Sequence, residues 1–375
     1  MEGVVTEIER EARSESSGGT RPARTKDARL GRILMTGGDG YIGNVMAPYL
    51  ARLGADVTGF DTGFYRAGWL FHDGQDRARM ITRDIRSITP EDLEGYDAVV
   101  HLAELSNDPL CENDPDLTFE INHKASVQLA KAAKAAGVKR FVYASSCSVY
   151  GAGGAEARTE TDPTDPLTAY AKCKLLVERD VAPLADDNFS PTFLRLATAF
   201  GASPRLRFDI VLNNLAGLAW TTGRITMTSD GMPWRPLVHV EDISQAFAAV
   251  LMAPRDAVFN QVFNVGDNEQ NYRIREIAET AARVFPGCEI EFGDNGGDNR
   301  SYRVCFDKIR QHLPGFQCQW SAERGFRQLR SIFERIRLTP EVFQAPPYTR
   351  LRTLKTLMET QQVSPKLEWN AYDFQ

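Results

Sequence analysis

Tyr170 and Lys174, four residues apart in Tyr170-Ala-Lys-Cys-Lys174, are the pair whose types and spacing imply chemistry most directly. On a helix that spacing sets both side chains on one face, so a permanently charged ammonium lies near the phenol and favours its ionised form. A phenol brought toward neutrality takes a proton from an alcohol while hydride leaves the adjacent carbon. A serine from the preceding strand end, in Ser145-Ser146-Cys147-Ser148, would orient that alcohol, and Ser146 is the preferred candidate.

Such chemistry needs a hydride acceptor, and the front of the chain supplies a place for one. Arg32-Ile-Leu-Met-Thr-Gly-Gly-Asp-Gly-Tyr-Ile-Gly43 reads as a buried strand, a glycine-rich turn and the start of a helix. Gly37, Gly40 and Gly43, with Tyr41 and Ile42 between them, let backbone N–H groups approach a pyrophosphate and let the helix pack close to the sheet. Asp61 ends the next apolar run at about 20 residues' distance, where a carboxylate accepts from an adenosine ribose, which favours NAD over NADP. Asp84, followed by Ile85, ends a further short run and is placed to receive an adenine amino group.

The elements that must position these residues follow from periodicity. Short apolar runs near 32–36, 55–60, 79–82, 97–102, 139–144 and 191–196 alternate with helical patterns near 41–53, 115–136 and 167–185. That alternation predicts an α/β fold with a parallel sheet covered by helices on both faces. Residues 30–205 and 237–265 are assigned to this domain, with strand-like returns at 237–240 and 261–265. Residues 206–236 and 266–335 are assigned to a smaller interleaved lobe, 1–29 to a disordered tail and 336–375 to a helical extension.

Composition narrows the function classes. The 375 residues carry 44 Lys and Arg against 50 Asp and Glu, a formal charge of −6, with basic residues scattered rather than clustered. Nucleic acid and anionic membrane surfaces are therefore not expected partners. No apolar run approaches the roughly 20 residues of a membrane span, and the first residues lack a secretory core, so a cytoplasmic protein is expected. The six cysteines form no C-x-x-C pair, and no metal site is expected.

From Arg32 to Gln328 the chain resembles the extended short-chain dehydrogenase/reductases, specifically the nucleotide-sugar epimerase/dehydratase family, of the UDP-glucose 4-epimerase type. The resemblance implies a Rossmann doubly wound sheet with a C-terminal substrate-binding lobe, NAD as cofactor, a nucleoside-diphosphate sugar as substrate and a homodimer. It implies that Ser146, Tyr170 and Lys174 form a catalytic triad, that Leu102 and Ala103 lie beside the cofactor, and that Asn122 braces the site. Arg235, in Arg235-Pro-Leu-Val-His-Val-Glu-Asp242, and Arg300 would bind the substrate diphosphate, guanidinium being suited to phosphate oxygens.

Departures from the family pattern narrow the reaction. Ser146-Cys147-Ser148 stands where 4,6-dehydratases carry Thr-Asp-Glu, and Ser148 stands where decarboxylases tend to carry glutamate. What remains is removal and return of hydride, as in a C4 epimerase working through a 4-keto sugar or a 4-ketoreductase. Glu104 and Cys147 could alternatively supply acid/base chemistry for a dehydratase, and a non-catalytic NAD-binding scaffold is a further class. Thr198 replaces an asparagine that often contacts substrate phosphate. Ser106, Asn107, Arg205, Arg207, Asn213 and Asn214 are polar candidates for the substrate pocket.

Overall fold

The computed structural model describes residues 30–106, 108–154, 156–294 and 300–370. The tail at 1–29 and the pocket candidate Asn107 lie outside the described residues.

Seven parallel strands form the main sheet: β1 (Arg32–Thr36), β2 (Asp56–Asp61), β3 (Arg79–Thr82), β4 (Ala98–His101), β5 (Arg140–Ser146), β6 (Ser190–Leu196) and, after two strands of a second sheet, β9 (Gln261–Val265). Their spatial order is β9-β6-β5-β4-β1-β2-β3. The order reverses between β1 and β4, so a crevice opens at the carboxyl ends of these two strands, the place where doubly wound sheets bind ligands.

Alternate residues of each strand face opposite layers, and both layers are buried, which is why the strands read as nearly continuous apolar runs. Ile33, Met35, Val100, Val142 and Leu194 pack against Met46 and Leu50 of α1 (Gly43–Arg52) and Ile243 and Phe247 of Val240–Met252. Leu34, Val99, Phe141 and Phe193 pack on the other side against Leu129 and Ala133 of α2 and Val177 and Val181 of α3 (Ala169–Val181). Here α2 is one helical run made of Pro115–Thr118, a π-helical Phe119–Ala125 and Ser126–Ala135. The expected helix at 115–136 is thus present, with a change of phase that apolar spacing does not announce. Pro48 lies inside α1, and the Asn44 carbonyl that its missing N–H would have bonded accepts from Arg77 Nη1 at 3.0 Å.

A smaller lobe is built from the three-stranded sheet β10-β8-β7, with β7 Thr198–Phe200, β8 Trp234–His239 and β10 Asn271–Arg273. The strand expected near 237–240 therefore pairs in this sheet rather than in the main one. The helix that follows it, α5 (Val240–Met252, after α4 at Val211–Thr222), returns to the main layer. Phe200, Leu212, Leu237, Ile277, Phe326 and Phe333 make the lobe's core, with α6 (Ile274–Val284) and α7 (Ala322–Ile336) supplying the last three. Residues 338–369 continue beyond α7 as short helical turns and α8 (Arg350–Glu359).

Two buried histidines are held neutral. A chain of donors runs from Ala103 N–H to Thr36 Oγ1, from Thr36 to His101 Nδ1 at 2.6 Å, from His101 Nε2 to Ser126 Oγ at 2.7 Å and on to the Asn122 carbonyl. This order places the ring proton on Nε2. His239 is stacked on Trp320 at 3.9 Å and bonded to Gln328 Oε1 at 2.9 Å. Burial pushes both imidazoles down to about 3.

A histidine depressed in the folded state contributes stability that is complete above about 6.5 and is lost as pH falls toward the folded value. Asp242, whose carboxyl burial raises to about 7, acts in the opposite sense over part of that range, so a difference measurement isolates the imidazole. In urea unfolding from pH 6 to pH 4, the stability of wild type relative to His239→Gln is expected to fall by about 1.4 kcal/mol per pH unit. A pH-independent difference would show that His239 is not buried in its neutral form.

Candidate active site

A cavity of about 760 Å³ opens at the crevice and extends between the two lobes. Its walls include Gly37, Gly40, Tyr41, Ile42, Gly43, Asp61, Asp84, Ile85, Leu102 and Ala103 at one end, and Ser146, Tyr170 and Lys174 in the same space. Ser106, Ser148, Thr198, Arg207, Asn214, Arg235 and Arg300 also line it. The residues brought together thus come from positions more than 200 apart in the chain.

The glycine turn is shaped by close approach. Gly37 has φ of +74°, and a Cβ there would lie 2.8 Å from Ala103 N; one on Gly43 would lie 2.7 Å from Gly38 O. The turn delivers the N-terminus of α1 to the cavity, where its first N–H groups have no partner within the helix. Asp61 accepts from Gly63 N–H at 2.8 Å and Asp39 N–H at 3.2 Å, and burial raises its carboxyl above the ordinary range. A cradle without side chains, a helix N-terminus and a buried carboxylate beyond them are the donor and acceptor set that a dinucleotide requires. Asp84, by contrast, is engaged by Arg86 through its backbone N–H and its guanidinium, which caps the turn.

Around the phenol the arrangement differs from the simple expectation. Lys174 Nζ lies 5.3 Å from the centre of the Tyr170 ring. Its charge is shared with the Glu104 carboxylate at 2.6 Å and the Ala144 carbonyl. Tyr143 donates to Glu104 at 2.5 Å from the other side. Lys174 and Glu104 are both buried, their side chains 5% and 2% exposed. Burial, followed by the Glu104 charge, raises the Tyr170 phenol far above its ordinary value, while a hydrogen bond from Ser146 acts to lower it. The predicted downward shift is therefore reversed here, first by burial of the phenol and then by the charge of Glu104, which also pairs with the nearby ammonium.

Several sequence candidates occupy other roles. Cys147 does not reach the cavity: its thiol is fully buried in the sheet core, donates to the Arg195 carbonyl at 3.2 Å, and is pushed up by burial. The proposed acid/base role of Cys147 is thereby corrected. Asn122 is not in the wall either; its amide accepts from Leu105 N–H and donates to Leu105 O, both at 2.8 Å, so it positions the loop after β4. The π-helical turn rotates Asn122 into that place. Arg205 pairs with Asp39 of the glycine turn at 2.8 Å, and Asn213 holds Gly201 N–H at 3.0 Å, so both brace the walls from behind.

Toward the small lobe the wall is polar. Ser148 Oγ is buried and has no hydrogen-bond partner among the described residues. Arg207 donates to Asp209 at 2.8 Å and to Ser106 Oγ at 3.0 Å. Arg235 lies over Tyr302, and Arg300 pairs with Asp108, which also accepts from Thr168, the N-cap of α3. Sequence reasoning missed Tyr143, Tyr65 and Arg350; the last two also line the cavity, and nothing in their local spacing marks them.

The sequence model of the NAD-dependent epimerase/dehydratase family matches residues 33–266. The UDP-glucose 4-epimerase of Corynebacterium glutamicum is 29% identical over 323 residues, covering 81% of this chain and 94% of that protein. The structure of MoeE5 in complex with UDP-glucuronic acid and NAD superposes with a TM-score of 0.69 at 27% identity, over 81% of this chain and 99% of that one. The fold is also that of TunA, an NAD-dependent NDP-hexosamine 5,6-dehydratase, with a TM-score of 0.71 at 22% identity over 81% of this chain and 98% of that one.

Glu104→Gln removes one charge of a buried pair and leaves the Lys174 ammonium facing a neutral amide. Denaturant unfolding of that variant is expected to show a loss of about 3 kcal/mol. A loss below about 1 kcal/mol would mean that the pair is well hydrated rather than buried.

Proposed function

The chain belongs to the NAD-dependent epimerase/dehydratase family, and we propose that it inverts C4 of a nucleoside-diphosphate sugar through a transient 4-keto sugar. The observation that carries this reading is the convergence of Tyr170, Ser146 and Lys174 in the cavity that also holds the glycine turn and Asp61. When bound, NAD supplies a reversible hydride acceptor and a positive ring that favours the phenolate. The chain supplies proton handling, orientation and enclosure.

Tyr170 takes the proton of the sugar hydroxyl and later returns it, with Ser146 holding the oxygen between them. Lys174 and Glu104 fix the phenol's place without fully charging it. The orphaned Ser148 hydroxyl suits a further sugar oxygen, and Arg235 and Arg300 suit the substrate diphosphate. Tyr170 returns the proton to the oxygen of a ketone that has turned its other face to the returning hydride, and with both restored the product is the C4 epimer.

Elimination of water across C5 and C6 is the second reading, favoured by Glu104 in the cavity wall. Cys147 offers it no help from within the core. Incubation with a panel of nucleotide sugars separates the two by proton NMR and mass: an epimer has unchanged mass, an elimination product is lighter by one water. A product lighter by one water would overturn the epimerase reading.

Tyr170→Phe is expected to lower turnover by about 10²–10⁴-fold while leaving bound NAD in place. Wild-type turnover in that variant would remove Tyr170 as the base. Because the Glu104 charge raises the phenol, Glu104→Gln is expected to move the limb of the pH–rate profile that reports the base to lower pH. An unmoved or upward-moved limb would sever Glu104 from the chemistry.

A further inference from the structure

The segment after α7 crosses from one lobe to the other. Phe343 and Tyr348 pack with Phe208 in the lobe's core at ring separations of 4.8 and 5.9 Å, whereas Leu354, Val363 and Leu367 belong to the apolar layer under the main sheet. Its end closes over the carboxyl ends of β2 and β3. Arg86 donates to the carbonyls of Lys366 at 2.9 Å and Leu367 at 3.1 Å, and Trp369 donates to Thr62 O at 2.7 Å while its ring lies 5.6 Å from that of Phe64. Thr62 follows Asp61, and Arg86 is the partner of Asp84, so this strap covers the adenosine end of the cavity.

Within the strap, Arg350 enters the cavity wall and is 3% exposed. Its guanidinium stacks over Tyr65 at 3.9 Å and, among the described residues, makes no hydrogen bond to a carboxylate or carbonyl. Neighbouring Arg207 has a buried Nη2 with no hydrogen-bond partner among the described residues. The carboxylate nearest to both is Asp209, which is already taken by Arg207 Nε at 2.8 Å and by the Arg350 backbone N–H at 3.0 Å. The two guanidinium groups thus meet at the cavity wall with donors left over after Asp209 and the field of Asp61 are counted, and a buried cationic donor without a hydrogen-bond acceptor is costly.

We propose that Arg350 is a binding residue for the diphosphate of the dinucleotide and that the strap at 338–369 holds that cofactor as a retained group. The proposal rests on the NAD site described above. The dinucleotide is favoured over the nucleotide sugar because Arg350 sits beside Tyr65 and within the field of Asp61, while Arg235 and Arg300 serve the opposite lobe. A guanidinium from a covering segment both neutralises phosphate and couples its release to movement of that segment.

The test compares full-length wild type with Arg350→Met, Arg350→Lys and Trp369→Ala, reading NAD content after purification, NAD affinity by calorimetry and NAD release by exchange against labelled NAD. Arg350→Met is expected to weaken NAD binding tenfold or more and to reduce its salt dependence, with Arg350→Lys in between. Trp369 is an exposed contact of the strap, so Trp369→Ala keeps the proposal testable if loss of Arg350 impairs folding; it is expected to speed NAD release several-fold. NAD affinity and release within twofold of wild type in the folded variants would overturn the proposal and leave the epimerase reading intact. An Arg350→Met variant that changes only the KM for nucleotide sugar would overturn it in favour of a substrate contact. Wild type that binds no NAD would overturn both.

Discussion

A buried charge pair between Lys174 and Glu104 governs the site. Removing two ions from water is repaid only when their geometry and remaining hydrogen bonds are good, and here Tyr143 and the Ala144 carbonyl supply those bonds. The requirement ties together α3, the loop after β4 and the end of β5. Tyr170, one helical turn before Lys174, has its position set by the same contacts. A second buried pair, Arg195 with Glu178 at 2.7 Å, holds α3 against β6 and accepts the Ser145 hydroxyl. The helix that carries Tyr170 and Lys174 is thus fixed to the sheet by ions rather than by apolar packing alone, which gives its face one register.

The same economy of contacts joins the lobes. Asp39 stands in the glycine turn and pairs with Arg205, which also donates to the Tyr65 carbonyl at 3.0 Å. Tyr41, in the same turn, donates to the Gly201 carbonyl at 2.7 Å. The glycine turn is therefore held by the smaller lobe. A change in the spacing of the lobes must be felt at the glycine turn, because Tyr41 and Arg205 are buried and Asp39 is mostly so.

Much of this was legible in the sequence because it is local. The strand at 32–36, the glycine turn and Asp61 fall within one unit, and the helix carrying Tyr170 and Lys174 has a capping threonine and regular spacing. The errors are all long-range. Cys147 opens a 3₁₀ turn at the end of β5 that carries its thiol into the core while Ser146 and Ser148 line the cavity, and a strand end gives no sign of which side is the core. The phenol's direction of shift reversed because burial in the folded site raises it, and Glu104, 66 positions earlier and paired with the ammonium, raises it further. Arg350 carries no local mark at all; only the path of the strap across both lobes brings it to the cavity.

That path also bears on which reaction the cavity serves. A reductase must exchange its cofactor on every turnover, so a strap anchored through Arg86 and Trp369 would place its own opening in each cycle and set the rate. An epimerase ends each cycle with the cofactor in its starting state and has no such need. Enclosing the adenosine then slows nothing, and the excluded water strengthens every electrostatic contact around the phenol and the buried pair. The C-terminal strap and the self-restoring reaction are in this sense one argument: a closed adenosine end is compatible with chemistry that returns what it removes.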